Sequence, residues 1–387
     1  MENLHKYQEQ MRSWRRDLHR HPECSWEETG TRRRLLSALE PFGLEIRDIP
    51  GQAGFLAVWD SGRPGPKTVF RADMDALPMQ EQNVSDFRSQ HPGVMHACGH
   101  DFHMAALLGL AQLLADRASD LGGQVGLLFQ AAEETADGAR QLVDTGVLQD
   151  FGAGAYYGGH IWDLPLGQVV CRRGPLMAAA DIFQWRVRGR GGHGAAPEQT
   201  RDPITAAASL VLALQTLVAR RHSPFEPLAL SICHFSGGHN HNVVPDEVLL
   251  EGTLRSYNEQ LRQELLREIR QLAEQQIGSL GLSLTWGHRP GPQAVINDGE
   301  LAAQAAELLR REGLDLRTEE DFLPSMLSED FSAYQELGPS LFFFFGATDP
   351  SGQGGRCALH QADSDPDERV LDSMLQTYRA LLLARHG

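Results

Sequence analysis

The chain has 387 residues, 41% of them hydrophobic and 22% charged, and carries 51 Asp and Glu against 35 Lys and Arg for a formal charge of −16. That length and apolar content exclude a disordered or peptide-sized protein and suit two domains, or one large domain with another inserted. The acidic balance argues against nucleic acid as a partner, because basic residues form only short groups such as Arg32-Arg33-Arg34.

In chain order, residues 3–20 and 28–40 are predicted helices, and 55–59 and 68–70 short buried strands. From 103 to 118 the apolar positions Met104, Leu107, Leu108, Ala111, Leu114 and Ala115 keep helical spacing, with Asp101 available as N-cap. Buried strands follow at 125–129 and 155–159, and after Pro292 come a helix at 299–312, a strand at 341–345 and a final helix at 367–385. This alternation predicts an α/β domain with a mainly parallel sheet.

The stretch from 179 to 292 has another rhythm. Phe183, Trp185 and Val187 alternate with Gln184, Arg186 and Arg188, as in a sheet covered on one face. Asp202-Pro203 opens a helix whose predicted buried stripe is Ile204, Ala207, Ala208, Val211, Leu214 and Val218. Strands at 228–235 and 247–255, a helix through Leu261, Leu265, Ile269, Leu272 and Ile277, and a strand at 282–286 complete a βαββαβ order. That is the order of a ferredoxin-like α+β domain, here inserted at 179–292 between the two parts of a larger domain, 1–178 and 293–387.

Five cysteines, Cys24, Cys98, Cys171, Cys233 and Cys357, are scattered without a CxxC pair, which argues against a disulfide framework and for the cytoplasm. The polar start of the chain has no signal-like apolar run. The densest apolar run, Leu341 to Phe345, is far short of the roughly 20 residues a membrane helix needs, so no membrane partner is expected.

Four polar groups fall where strand patterns stop: His96-Ala-Cys98-Gly-His100-Asp101, Glu133-Glu134, His160 and His360. In open α/β sheets the ligand crevice lies beyond the carboxyl ends of the strands, where such groups can converge. Taken singly, each could be a cap, a core residue or a solvated side chain. Together, thiolate, imidazole and carboxylate form the ligand set of a borderline-soft divalent ion, and a spare carboxylate can serve as general base.

Arg71-Ala-Asp73-Met-Asp75-Ala-Leu-Pro78, Met95-His-Ala-Cys98-Gly-His100-Asp101, Gly191-Gly-His193, Asn242-Val-Val-Pro245, Gly252-Thr-Leu-Arg255 and Ser328-Glu-Asp-Phe331 resemble, in order, motifs of the M20 metallopeptidase and amidohydrolase family. The similar branch contains hippurate hydrolases, N-acyl-amino-acid amidohydrolases and auxin-conjugate hydrolases. The resemblance implies two divalent ions, such as zinc, manganese, cobalt or nickel, bridged by Cys98. Glu134 and His360 would complete one site, and His100 and His160 the other. It further implies Glu133 as general base, Asp73 as an orienting residue behind the ligands and Arg71 where other branches carry a ligand histidine. The inserted domain would be a lid and dimerisation domain, bringing His193 to the developing oxyanion and Asn242 and Arg255 to a substrate carboxylate.

The chain departs from its relatives at Glu198, where they commonly carry His, and in the acidic run after His360. The implied activity is hydrolysis of the amide bond of an N-acyl amino acid by a homodimeric enzyme. A dipeptidase or carboxypeptidase on the same scaffold, or a non-catalytic binding protein for acylated amino acids, are the alternatives.

Overall fold

The computed structural model describes residues 5–352 and 354–387, so residues 3 and 4 of the first predicted helix lie outside the described residues. The chain divides into two compact units. The first holds residues up to Leu176, Ile296–Leu323 and Asp330–Gly387, and the second Met177–Val295 and Pro324–Glu329.

In the first unit an eight-stranded sheet runs in the order Glu45–Asp48, Phe55–Asp60, Gln124–Gln130, Lys67–Asp73, Ala155–Pro165, Ser340–Thr348, Gln168–Val170, Asp315–Arg317. From Gln124–Gln130 to Ser340–Thr348 the four central strands are parallel. Phe55–Asp60 and Gln168–Val170 run antiparallel to the central strands they flank. Continuous apolar runs such as Leu341–Phe345, all fully buried, suit strands covered on both faces. The sheet is the mainly parallel α/β arrangement that the alternation predicts.

Helix His100–Asp116 is buried on nearly every side and packs against helices His5–Arg20 and Val370–His386. It starts three residues earlier than its hydrophobic spacing indicates. Gly99 occupies the cap position with φ +85°, and a Cβ there would lie 2.3 Å from Ile161 Cδ1, so only glycine lets the chain turn so close to the neighbouring strand. Asp101 does not cap this helix. Its carboxylate lies inside the first turn and accepts from Arg15 Nε and His19 Nδ1, both at 2.8 Å.

The second unit is a βαββαβ fold. Strands Ala179–Arg188, Leu228–Ser236, Glu247–Ser256 and Ser283–Pro290 form an antiparallel sheet in the ferredoxin-like order second, third, first, fourth. Phe183, Trp185 and Val187 are fully buried under helices Pro203–Arg221 and Glu259–Ser279. Asp202 caps the first helix through the Ile204 N–H at 2.8 Å.

The buried stripe of helix Pro203–Arg221 is Pro203, Ala206, Ala207, Leu210 and Leu214, turned by about one position from the predicted one. Small Ala206 and Ala207 seat the helix close to the sheet. Ile204 and Leu212 are left outside, Leu212 at 71% exposure. By length and composition this helix is apolar enough to cross a membrane, although its inner face packs in the unit's core. The segment Pro324–Glu329, which the sequence leaves with the larger part, joins this unit through the Ala178 N–H to Leu327 O bond at 2.8 Å and a bridge between Met177 and Ser325.

Candidate metal centre

The parallel order of the central strands brings their carboxyl ends to one edge of the sheet of the first unit. Asp73 ends its strand, and Glu133 and Glu134 follow Gln130 in a turn. His160 lies within a strand rather than after one, because pairing continues past it, with His160 opposite Phe344 and Trp162 opposite Gly346. His360 comes from the loop after Thr348. Its backbone is left-handed, with φ +59°, and its N–H donates to Ala97 O at 3.0 Å, which ties it to the Cys98 segment.

These segments bring six donor side chains together. Cys98 Sγ lies 3.3 Å from His160 Nε2 and 3.2 Å from His360 Nε2. His360 Nε2 is 3.4 Å from Glu134 Oε1, and His100 Nε2 is 3.9 Å from that oxygen and 3.8 Å from Glu133 Oε2. Ligand-type atoms of Cys98, His100 and His160 all lie within 4.8 Å of one another, and so do those of Cys98, Glu134 and His360. Cys98 is common to both sets.

The donor set fits divalent ions. His100 Nδ1 donates to Asp75 O at 2.9 Å and His160 Nδ1 to Ile161 O at 2.6 Å, an assignment of the ring protons that turns each Nε2 toward the cluster, where it can ligate once any proton on it is displaced. His100 Nε2 and Glu134 Oε1 are buried without any hydrogen-bond partner, a costly state that a cation between them would relieve.

The electrostatics point the same way. Burial pushes the Cys98 thiol well above its ordinary value, and the carboxylates of Glu134, Glu133 and Asp73 push it further. Burial pulls His100 down, but the charge of Asp73 and the bond to Asp75 outweigh it and hold the imidazole up at about 10. Burial and neighbouring His103 drive His160 well below the usual range. Without a cation these shifts favour a proton on Cys98 and on His100, the positions an ion would take.

A second layer holds the donors. Asp73 Oδ1 accepts from His103 Nδ1 at 2.5 Å, and His103 Nε2 accepts the Ile161 N–H at 3.0 Å beside the His160 ring. Arg71 offers no ligand atom. It is buried and donates to Asp73 at 2.6 Å, Asp330 at 3.0 Å and Gln130 at 2.8 Å. Burial alone would raise the Asp73 carboxyl, but His100, His103 and Arg71 hold it well below its ordinary value. Asp75 Oδ2 accepts the Glu134 N–H at 2.9 Å and the Ser25 hydroxyl at 2.7 Å, so one carboxylate steadies both the His100 and Glu134 segments.

His103 and Asp75 escape a reading by strand ends. Their signals are the i, i+3 spacing of His100 and His103 on one helix face and the Asp-x-Asp after a buried strand.

The remaining candidates lie in the second unit. His193 is exposed on a two-residue ribbon opposite Val243, and Asn242 O accepts the Gly194 N–H at 2.8 Å. Arg255 is on the sheet face opposite the helices, with Nη1 donating to Ser328 Oγ at 2.9 Å. Glu198 is exposed in a short turn beyond His193. In the acidic run of the first unit, Asp367 is paired by Arg369 and the adjoining Glu368 by Arg15 and Arg16, while Asp363 and Asp365 are exposed.

The chain is 39% identical over 334 residues to an N-acetylcysteine deacetylase of Bacillus subtilis, covering 86% of this chain and 87% of that one. It is 40% identical over 307 residues to an N-acyl-L-amino acid amidohydrolase of Geobacillus stearothermophilus, covering 78% and 82%. Among solved structures, a dinuclear metal-binding peptidase of the M20 family from Bacillus subtilis superposes with a TM-score of 0.84 at 34% identity, covering 98% of each chain. Residues 69–384 match the family described as Peptidase family M20/M25/M40, and the chain belongs to that family.

Proposed function

We propose that Cys98 bridges two divalent ions, one completed by His100 and His160 and the other by Glu134 and His360, and that the site hydrolyses N-acyl amino acids. Membership of the family makes the chain a metal-dependent amidohydrolase. The observation that carries the ligand assignment is the pair of imidazoles pinned through Nδ1, each turning its Nε2 toward the cluster around Cys98. Bound divalent ions supply Lewis acidity, which polarises the scissile carbonyl and acidifies water.

Glu133 is the spare carboxylate. Mostly buried and 3.8 Å from His100, it takes the proton of the attacking water and passes it to the leaving amine. His193 in the second unit donates to the developing oxyanion. Arg255, whose planar fork matches a carboxylate, and Asn242 hold the α-carboxylate of the substrate. The outer face of helix Pro203–Arg221, with Ile204 and Leu212 exposed, is where two copies would associate as a homodimer. The scattered cysteines suit a cytoplasmic enzyme, and neither nucleic acid nor membrane is among its partners.

The test compares N-acetyl and N-benzoyl amino acids with their carboxamides and with dipeptides, following amine release. The free acids should be turned over well and their amides poorly. Arg255→Ala should cost about 2–5 kcal/mol in kcat/KM on the acids and little on the amides. Equal turnover of acid and amide would remove the α-carboxylate from the substrate description, preference for dipeptides would make the chain a peptidase, and binding without turnover a binding protein.

A further inference from the structure

Glu28 is a buried carboxylate that the chemistry above does not use. The residue is fully buried, no cation pairs with it among the described residues, and Oε2 has no hydrogen-bond partner. Burial pushes its carboxyl up to about 7, with the charge of Asp75 adding to the rise and backbone N–H groups of Ala132 and Trp26 opposing it. A buried carboxylate in this state works against stability.

Helix capping does not explain it. Glu28 precedes helix Thr29–Leu39 but makes no cap bond, and Glu23 takes the Gly30 and Thr31 N–H groups instead.

The bond Glu28 does make is to the turn that carries the two catalytic-site glutamates. Oε1 accepts the Ala132 N–H at 2.8 Å. Ala132 has φ +57°, a left-handed conformation disfavoured for a residue with a Cβ. Two residues on, the Glu134 N–H is taken by Asp75 at 2.9 Å. Carboxylates from two other segments therefore grip N–H groups on either side of Glu133. On the opposite side of the turn, Ala132 O accepts from Thr135 Oγ1 at 3.1 Å and from the Gly138 N–H at 3.3 Å.

We propose that Glu28 is a positioning residue whose carboxyl oxygen holds Ala132 in the left-handed turn that aims Glu133 at the donor cluster, while Asp75 holds the Glu134 N–H. The inference rests on the roles proposed for those two glutamates.

Three variants of the metal-loaded, full-length protein test it: Glu28→Met, Glu28→Gln, and Glu28→Met combined with Ala132→Gly. Methionine fills the volume without an acceptor, and glutamine keeps a carbonyl oxygen for the Ala132 N–H. A misplacement of about 1 Å costs on the order of 100-fold, so Glu28→Met should lower kcat by about that factor while KM and the metal bound to the cluster stay within about threefold. Glu28→Gln should keep kcat within about threefold and, having lost a buried charge, should melt no lower than the parent at pH 8. Glycine at 132 occupies the left-handed region without being held there, so the double variant should recover about tenfold of the lost kcat.

Equal kcat losses in the methionine and glutamine variants would overturn the inference. So would a loss that Ala132→Gly leaves untouched, or one that only follows a smaller folded fraction. If Glu28→Met does not fold, Glu28→Asp, whose shorter arm draws the oxygen away from the N–H, is read against the same glycine change. Metal titration of the parent and kcat of Glu133→Gln separate the two layers. Fewer than two ions, or an active Glu133→Gln, ends the reading of the glutamates; two ions and an inactive Glu133→Gln, with Glu28→Met unaffected, ends the inference about Glu28 alone.

Discussion

His100 faces Cys98, His160, Glu133 and Glu134; Asp101, the next residue, faces Arg15 and His19. Both side chains are fully buried. On the Asp101 side the protein supplies its own positive charge. Arg15 donates to Asp101 and stacks 4.3 Å over the Phe102 ring, and His19 links Asp101 to Glu81 at 3.2 Å. On the His100 side two buried atoms, His100 Nε2 and Glu134 Oε1, are left without hydrogen-bond partners. Burying charge demands a counter-charge. The Asp101 cluster is closed by Arg15 and His19, whereas the His100 cluster keeps unpartnered donor atoms that the proposed ions would meet.

The largest effect that would break this contrast is in the rate. In the proposed roles Glu133→Gln removes a proton acceptor and no metal ligand, so kcat should fall about 10²–10⁴-fold with both ions retained, as read by steady-state kinetics and emission spectroscopy. A metal loss in Glu133→Gln would place Glu133 among the ligands.

Arg15→Met attacks the other cluster. It leaves the Asp101 carboxylate with His19 alone and should cost about 3–5 kcal/mol of stability in denaturant unfolding, while the surviving folded protein still binds two ions. The pH dependence sharpens the point. Burial would raise the Asp101 carboxyl, but Arg15 and His19 hold it well below its ordinary 3.8. A depressed carboxylate contributes stability that is present above its unfolded value and lost as pH falls below it. The parent should therefore lose stability steeply below about pH 4, and Arg15→Met more gently.

A smaller effect separates the clusters by protons. In the metal-free protein the surrounding carboxylates favour a protonated His100 and burial favours the Cys98 thiol, whereas ligation needs neutral imidazole and thiolate. Binding at pH 8 should release protons from both groups, so calorimetric enthalpies should vary with the ionisation heat of the buffer and affinity should rise with pH. Enthalpies independent of buffer would show that these two groups are not displaced.

Much of this was legible in the sequence. The two rhythms of hydrophobic spacing separate the parallel sheet from the ferredoxin-like unit, and four polar groups at strand ends mark the cluster. What escaped depends on tertiary contact. Helix His100–Asp116 begins where Gly99 clears Ile161, a neighbour that local spacing does not reveal. Asp101 has the chemistry of a cap, but Arg15 and His19, distant in the chain, claim its carboxylate. His160 lies inside its strand because Ser340–Thr348 pairs on past it. Glu28 looks like a helix-start glutamate until the fold sets its carboxylate against Ala132.

The central claim is that Cys98 joins two ions at the donor cluster of His100, Glu134, His160 and His360. Titration of metal-free protein with zinc, counting ions bound per chain in the parent and in Cys98→Ser, tests it most directly. A serine hydroxyl ionises far less readily than a thiol and bridges cations poorly. The account predicts two ions for the parent, and weakened binding of both, with activity lost alongside, for Cys98→Ser. A parent that binds a single ion, or a Cys98→Ser protein that holds two as tightly as the parent, would contradict it.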